Sequence, residues 1–260
     1  MRLIGRLRVL ARHQHLLAEL FRKDFDVRYA GSILGVAWTQ LYPLMLLAVY
    51  SFVFTVIFHS DVPRFPLFLF VGLAVYQFFA TAIQLATGSI LSNAQLVTRM
   101  GFPREMVTLS VVLIPTVDLC ASHIILLLGA IWYGVPPAWS WFALPGLILL
   151  LTVVLAGLGL VLATAAVYLR DVRFFVDVAV LLLLFLSPVF YSASAVPDSV
   201  AWVVNLNPLA MAITAYREAF LDGVWPNATI WLSLAVAGIA AMWVGIEVFD
   251  RGQRGFADAL

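Results

Sequence analysis

Long apolar runs alternate with short polar breaks along this chain. Six runs each approach the roughly 20 residues that a helix needs to cross a bilayer. They fall at about 36–58, 66–91, 107–132, 141–168, 174–191 and 229–249. Each run is continuously apolar, whereas a β-barrel strand would alternate inward and outward residues over about ten positions. The pattern predicts an all-α, polytopic membrane protein with a single transmembrane domain over 1–260. Gly157 and Gly159 in the fourth run let a neighbouring helix come close, although they do not form a GxxxG pair.

The polar breaks have structure of their own. Before the first run, Leu3, Leu7, Leu10, Leu17 and Phe21 recur at helical spacing among Arg2, Arg6, Arg8 and Arg12. That pattern predicts an amphipathic interface segment over 1–30, lying on one membrane face. Glu19, Arg22, Lys23, Asp24 and Asp26 interrupt any apolar core, so the segment does not read as a signal peptide. Between runs two and three, 93–100 reads as a short helix. Ser92 and Gln95 have capping-box spacing, and Gly101 then Pro103 stop it. Between runs five and six, 192–228 reads as an outer segment containing a helix with Asn207 as N-cap and Pro208 in its first position. Leu209, Ile213, Tyr216 and Phe220 share one face, and Gly223 follows as a stop. A helix of about 15 residues is too short to cross, so it lies at the surface or dips in and returns.

Charge sets the orientation. Arg2, Arg6, Arg8, Arg12, Arg22, Lys23, Arg28, Arg99, Arg104, Arg170, Arg173, Arg251 and Arg254 fall on one side of the six runs, and Arg64 and Arg217 on the other, thirteen against two. The positive-inside rule then places both termini in the cytoplasm. Phe58, Trp132, Tyr133, Trp139, Trp141 and Tyr191 form an aromatic belt at the outer edge. Composition agrees: 63% of residues are hydrophobic and 11% charged, against about a quarter charged in soluble domains.

Catalytic chemistry is scarce. Lys23 is the single lysine and follows Arg22, which excludes a Walker A loop and with it ATP hydrolysis by that route. Neither HExxH nor GxSxG occurs, and His13, His15, His59 and His123 have no metal-ligand pattern beyond the nearby His13/His15 pair, so no metal is expected. Cys120 is alone, and no disulfide forms within one chain. Asp118 in the third run and Asp177 early in the fifth are the intramembrane polar candidates; His123 also falls in the third run and Glu247 late in the sixth. Asp118 follows Pro115 by three residues, so it either couples protons or hydrogen-bonds a neighbouring helix at a proline kink.

A six-span protein without energy chemistry needs another chain to drive it. The short helix at 93–100 would be the lever. Asn93, Gln95, Arg99 and Arg104 are the expected contacts to a partner ATPase, with Phe102 and Pro103 fixing the lever to the third run and the Arg170–Asp171 turn as a second contact.

These residues resemble a known family. RYAGSILGVAW at 28–38, GFPR at 101–104, LRDV at 169–172, SPVFY at 187–191 and NPL at 207–209, in this order and spacing, are similar to the membrane subunit of type-2 ABC exporters of polysaccharides such as O-antigen, capsule and teichoic acid. The resemblance covers essentially the whole chain. It implies a homodimer with two copies of an ATP-binding subunit. ATP and Mg would be bound there, and this chain would hold no cofactor. The path would run between the two membrane subunits along runs one, two and five. Trp38, Tyr42, Tyr50 and Phe54 are the expected conduit residues, since aromatic faces pack against sugar C–H faces; Asn207, Tyr216, Arg217 and Glu218 are the expected outer gate. Two alternatives are an exporter of a drug or small lipid in the same superfamily, and a membrane enzyme acting on lipid-linked sugars. The enzyme would need paired carboxylates, and Asp118 and Asp177 stand too far apart for that.

Overall fold

The computed structural model describes residues 14–29, 35, 37–59, 61–98 and 103–259. They form helices and turns, with no strand among the described residues. The helices are α1 (Gln14–Tyr29), α2 (Ala37–Phe52, continued by a π-helical turn, Val53–Ile57), α3 (Phe65–Ser92), α4 (Ala94–Val97), α5 (Glu105–Trp132), α6 (Ala143–Tyr168, entered through a 3-10 turn, Trp139–Phe142), α7 (Val172–Leu186), α8 (Ala201–Asn205), α9 (Pro208–Phe220), α10 (Ala228–Gly252) and α11 (Phe256–Ala259).

Five segments are long and apolar enough to cross a membrane: Ala37–Ile57, Phe65–Ser92, Glu105–Trp132, Trp139–Tyr168 and Ala228–Gly255. They match five of the six expected runs. The fifth run differs. Its helix α7 has 15 residues, about 22 Å at 1.5 Å each. It stops because Ser187 precedes Pro188, and the ring of a proline pushes the residue before it out of the helical region. Ser187 is accordingly extended, with φ −99° and ψ 151°. The chain continues without a helix to the 3-10 turn Ala193–Ala195.

Helix α3 is the spine. Of its most apolar window, 78% is buried, against 11% for α2. It packs on α5, α6, α7 and α9. The closest pairing is α6 with α10, and glycine makes it possible. A Cβ on Gly157 would sit 2.2 Å from the main-chain carbon of Ala241, and one on Gly245 would sit 2.4 Å from the Gly157 carbonyl oxygen. Gly159 faces the other way, toward Ala86 and Thr108. The two glycines therefore serve two neighbours, which lets α6 sit between α3 and α10.

One end of the bundle is basic, carrying Lys23, Arg104, Arg170, Arg173, Arg251 and Arg254. The far end carries the exposed rings of Phe58, Trp132 and Trp139. Trp141 is less exposed there because it stacks on Phe220, 4.9 Å between centroids, and donates to the Phe220 carbonyl.

Two features of the basic end stand out. First, the described part of the interface segment packs along α5. Leu20 of α1 sits among Met106 and Val107 at the start of α5, while Tyr29 bonds Asp118 eleven residues further along α5. Helix α1 therefore runs beside α5, and its end is joined to the part-buried Asp118. Residues 1–13, with four of the arginines, lie outside the described residues. Second, the Ser92/Gln95 capping box does not form. Ser92 is the last residue of α3, and the four-residue α4 begins after Asn93 with no side-chain cap. The Asn93 carboxamide is engaged elsewhere: its oxygen accepts from Lys23 Nζ at 2.7 Å and its nitrogen donates to the Ser89 carbonyl.

Candidate functional site

At the basic end, the expected lever, α4, follows directly on α3 after Asn93. Val97 is fully buried among Leu20, Ile90, Met106, Val107 and Phe249, so a push on α4 passes into packed side chains. Gln95 is exposed. Arg99 and Phe102 lie outside the described residues. Pro103 and Arg104 are partly buried, and Arg104 donates to the Gln253 carbonyl, which ties the lever's exit to the C-terminal helices. Arg170 and Asp171 stand exposed in the turn between α6 and α7. A cleft of about 560 Å³ opens between α1, α3, α5 and α7, with Asp24, Arg28, Gln84, Asn93, Arg173 and Asp177 in its wall. Asp177 accepts from Gln84 Nε2 at 2.8 Å, which pins α7 to α3.

Deeper in, Asp118 is the centre of a polar network. Its carboxylate accepts from the Tyr29 hydroxyl at 2.6 Å and pairs with Arg28 at 3.4 Å. Gln40 of α2 donates to the Asp118 carbonyl, and Ser122 donates to Gln40. Burial, then the bond to Asp118, push the Tyr29 phenol above its ordinary range. The network joins α1, α2 and α5 at one point. The sequence expectation of a carboxylate bonded to a neighbouring helix matches this arrangement; the partners 78 to 89 residues away carried no local signal.

The conduit candidates separate onto two faces of α2. Trp38 and Tyr42 are exposed, at 55% and 59%, and continue through Met45, Val49, Phe52 and Val56 in one exposed stripe. Tyr50 and Phe54 instead pack inward on Phe190, with centroids 4.7 and 5.7 Å away. Helix α7 exposes a second stripe, Phe174, Val178, Leu181 and Phe185.

At the far end, α9 is wedged into the bundle against α3, α6 and α10. Leu209, Ile213, Tyr216 and Phe220 are all buried, so the helix dips in. Asn207 caps it, accepting from the Leu209 N–H, and also donates to Ser187. The Tyr216 hydroxyl bonds His123 Nε2 at 2.5 Å. Arg217 is 6% exposed, and its guanidinium grips four carbonyls. Nε and Nη2 donate to Phe68 at 3.2 and 3.1 Å, Nη2 to Val189 at 2.7 Å, and Nη1 to Pro188 and to Tyr191. Its Cζ lies 3.4 Å from the centroid of the Phe68 ring. Burial pushes Arg217 down to about 9, and the carbonyls offset part of the cost of holding a cation there. Gly72 makes the space, since a Cβ on it would sit 2.6 Å from Arg217 Nη2. Arg217 thus ties the break after α7 to the start of α3. Glu218 and Asp222 line an open cavity on the other side of Arg217, and burial pushes both carboxyls up.

The sequence pointed to Asn207, Tyr216 and Arg217 but not to their partners Ser187, His123 and Gly72. Gly72 in a run otherwise rich in large side chains was the available signal, because such a residue in a helix commonly marks a close approach.

Among known proteins, the sequence model of the ABC-2 type transporter family matches residues 15–221. The chain is 28% identical to an O-antigen export system permease protein RfbA of Klebsiella pneumoniae over 246 residues, 94% of this chain and 95% of that protein. It is 29% identical to an O-antigen export system permease protein RfbA of Myxococcus xanthus over 260 residues, 99% of this chain and all of that one. A match over most of the chain, joined to five apolar helices, assigns this chain to the ABC-2 type transporter family of membrane proteins.

Proposed function

We propose that the chain is the transmembrane subunit of an ATP-driven exporter that moves a lipid-linked polysaccharide of the O-antigen type across the bacterial cytoplasmic membrane. Its near full-length likeness to two O-antigen export permeases carries this reading. The chain is a permease rather than an enzyme, and ATP hydrolysis falls to a partner subunit, which binds the ATP and Mg; no cofactor binds here.

Six crossings fit the contacts of α7. Arg173 meets Gly88, Asp177 meets Gln84, the Tyr76 hydroxyl donates to the Val180 carbonyl, and Arg217 joins Val189 to Phe68. Helix α7 and its extension therefore run antiparallel to residues 88–68 of α3, about 30 Å of helix, the thickness of the hydrocarbon core. The Arg bias supports a cytoplasmic basic end and cytoplasmic termini.

Two copies facing each other would bring the stripes of α2 and α7 together around one path, with Trp38 and Tyr42 on its wall and Tyr50 and Phe54 behind it, bracing Phe190. Two ATP-binding subunits would meet the basic end. Asn93, Gln95, Arg99 and Arg104 with Phe102 and Pro103 form the lever, and Arg170 with Asp171 a second contact. Closure of the ATPase pair would push α4, and through α3 and α7 move the outer gate of Asn207, Tyr216, Arg217 and Glu218.

The test is co-purification and complementation. The tagged chain is expected to retain an ATP-binding subunit in detergent and to restore surface polysaccharide to a strain that lacks it. A stable, folded chain that binds no ATPase, or one whose deletion changes resistance to a drug but not the surface glycan, would overturn the reading.

A further inference from the structure

A cavity of about 800 Å³ opens at the far end, within the roughly 300–1,000 Å³ of small-molecule sites. Its walls come from four places. Asp61 and Arg64 follow α2, Phe68 begins α3, Ser192 and Ser194 follow α7, and Thr214, Glu218 and Asp222 lie on and just after α9. Helices α2 and α7 carry the exposed stripes, so a chain sliding along those stripes reaches this cavity as it leaves the bundle.

The groups in the wall suit one kind of ligand. The carboxylates of Glu218 and Asp222 accept no side-chain hydrogen bond among the described residues, although burial already disfavours their charge. Glu218 is part-buried and Asp222 exposed, so both are open to accept from a ligand in the cavity. The Thr214 hydroxyl donates to the Ala210 carbonyl at 2.9 Å and keeps acceptor capacity facing the cavity. Arg64 supplies donors. A sugar offers what this wall lacks, many hydroxyls that donate to carboxylates and accept from a guanidinium. A cation fits poorly, because among the described residues no group of three His, Cys, Asp or Glu side chains is placed to hold a metal. A phosphate fits poorly too. Three carboxylates, Asp61, Glu218 and Asp222, face two guanidiniums, Arg64 and Arg217, and Arg217 has its donors on main-chain carbonyls.

We propose that this cavity is an exit vestibule that binds uncharged sugar units of the departing glycan, with Glu218 and Asp222 as hydroxyl acceptors and Arg64 as donor. The proposal rests on the polysaccharide reading and deepens it. The diphosphate anchor of the lipid is left to other surfaces, and the vestibule holds the chain while the next units advance.

The single natural cysteine makes a direct test. In a Cys120→Ser background, Ala193→Cys puts one thiol in the cavity wall. Intact cells are labelled with a membrane-impermeant maleimide, in a host that synthesises the glycan and in the same host lacking its first glycosyltransferase. Occupancy is expected to slow labelling at least threefold in the first host, and Glu218→Gln with Asp222→Asn is expected to abolish that difference at unchanged protein level. Equal labelling rates in the two hosts, while export depends on this chain, would overturn the vestibule and leave the exporter standing. A difference that persists undiminished in the Gln/Asn variant would overturn the assigned contacts. Surface glycan that survives deletion of the chain would remove the polysaccharide reading itself, and the vestibule with it.

Discussion

Arg217→Ala probes the far end directly. The substitution removes the donors of the carbonyls of Phe68, Pro188, Val189 and Tyr191. Phe68 keeps its place in the α3 hydrogen-bond ladder, so three acceptors are orphaned; at about 1–3 kcal/mol each they would cost roughly 3–9 kcal/mol. Two effects offset this. Removing a buried cation recovers several kcal/mol of desolvation, and the cavity beside Arg217 lets water reach some of the freed carbonyls. The net loss should be about 3–5 kcal/mol. At roughly 2–4 °C per kcal/mol for a chain of this size, the apparent unfolding midpoint in detergent should fall by about 10 °C at a fixed heating rate. Arg217→Lys should recover only a minor part, because an ammonium has three donors at one point and no planar fork.

The same geometry predicts coupling to Gly72. A Cβ there meets Arg217 Nη2 at 2.6 Å and the Val189 Cα and carbonyl oxygen at 3.2 Å. Gly72→Ala should therefore be costly in the parent and cheaper in the Arg217→Ala background, where the guanidinium is gone. A double-mutant cycle should give an interaction of about 1–2 kcal/mol. The reasoning fails if Arg217→Ala leaves the midpoint within about 2 °C of the parent, or if the two substitutions are additive.

Three further outcomes follow from burial, close approach and charge. Asp118→Asn leaves Arg28 without its countercharge; because that guanidinium is open to solvent and the pair is screened, the cost should be about 1 kcal/mol, and Arg28→Gln in the same chain should return part of it, measured as thermal midpoints. Gly157→Ala drives a methyl into the Ala241 main chain and should cost about 3 kcal/mol or more by parting α6 from α10, whereas a Cβ on Gly134 meets nothing within 4 Å and Gly134→Ala should cost about 1 kcal/mol, from its positive φ alone. Glu218→Gln should raise the midpoint at pH 8 and leave it unchanged at pH 4: burial raises the folded-state value, so the ionised form carries its penalty above that raised value and loses it as pH falls below the unfolded value of about 4.3. An equal shift at both pH values would show that burial of the charge is not the cause.

Sequence legibility here followed the range of the forces involved. Span positions depend on local apolar content, and five of six expected runs appear as full-length helices within a few residues. The Asn207 cap depends on neighbours two residues apart and is present. Close approach at Gly157 was legible because a missing side chain is visible in any context, while its partner Gly245, 88 residues later, was not. The capping box at Ser92 was a local signal overridden from outside: α3 continues through Ser92, and Lys23 takes the Asn93 oxygen. The split of the aromatic set was within reach of arithmetic. At about 100° per residue, Tyr42 lies about 40° from Trp38 on the helical wheel, but Tyr50 lies about 120° and Phe54 about 160° away. Eight residues between Tyr42 and Tyr50 are not a whole number of turns, so helical periodicity alone separates the inner rings from the outer ones. The proline at 188 also announced the end of α7; what it could not announce was a guanidinium from position 217 binding the freed carbonyls.

The distribution of burial says which parts move together. Helix α3 is buried along most of its length and bonded at both ends, to Lys23 through Asn93 and to Arg217 through Phe68. Helix α7 is bonded to α3 through Asp177, Val180 and Val189, and α9 joins them through Arg217. Hydrogen bonds between packed elements thus join these three helices from the basic end to the far end. Helix α2 is different. Its outer stripe is exposed, its far end relaxes into a π-helical turn, a local deviation often found at functional sites, and its polar hold on the bundle near its start is Gln40 on the Asp118 carbonyl and Ser122. Asp118 also holds Arg28 and Tyr29, so the start of α2 is bonded at the same point as α1, while the length of α2 packs on α3 and its Phe54 stacks on Phe65 at 5.4 Å. Helices α2 and α7, whose exposed stripes define the proposed path, are both packed on α3, so the coupling proposed above would reach the two stripes through that one helix.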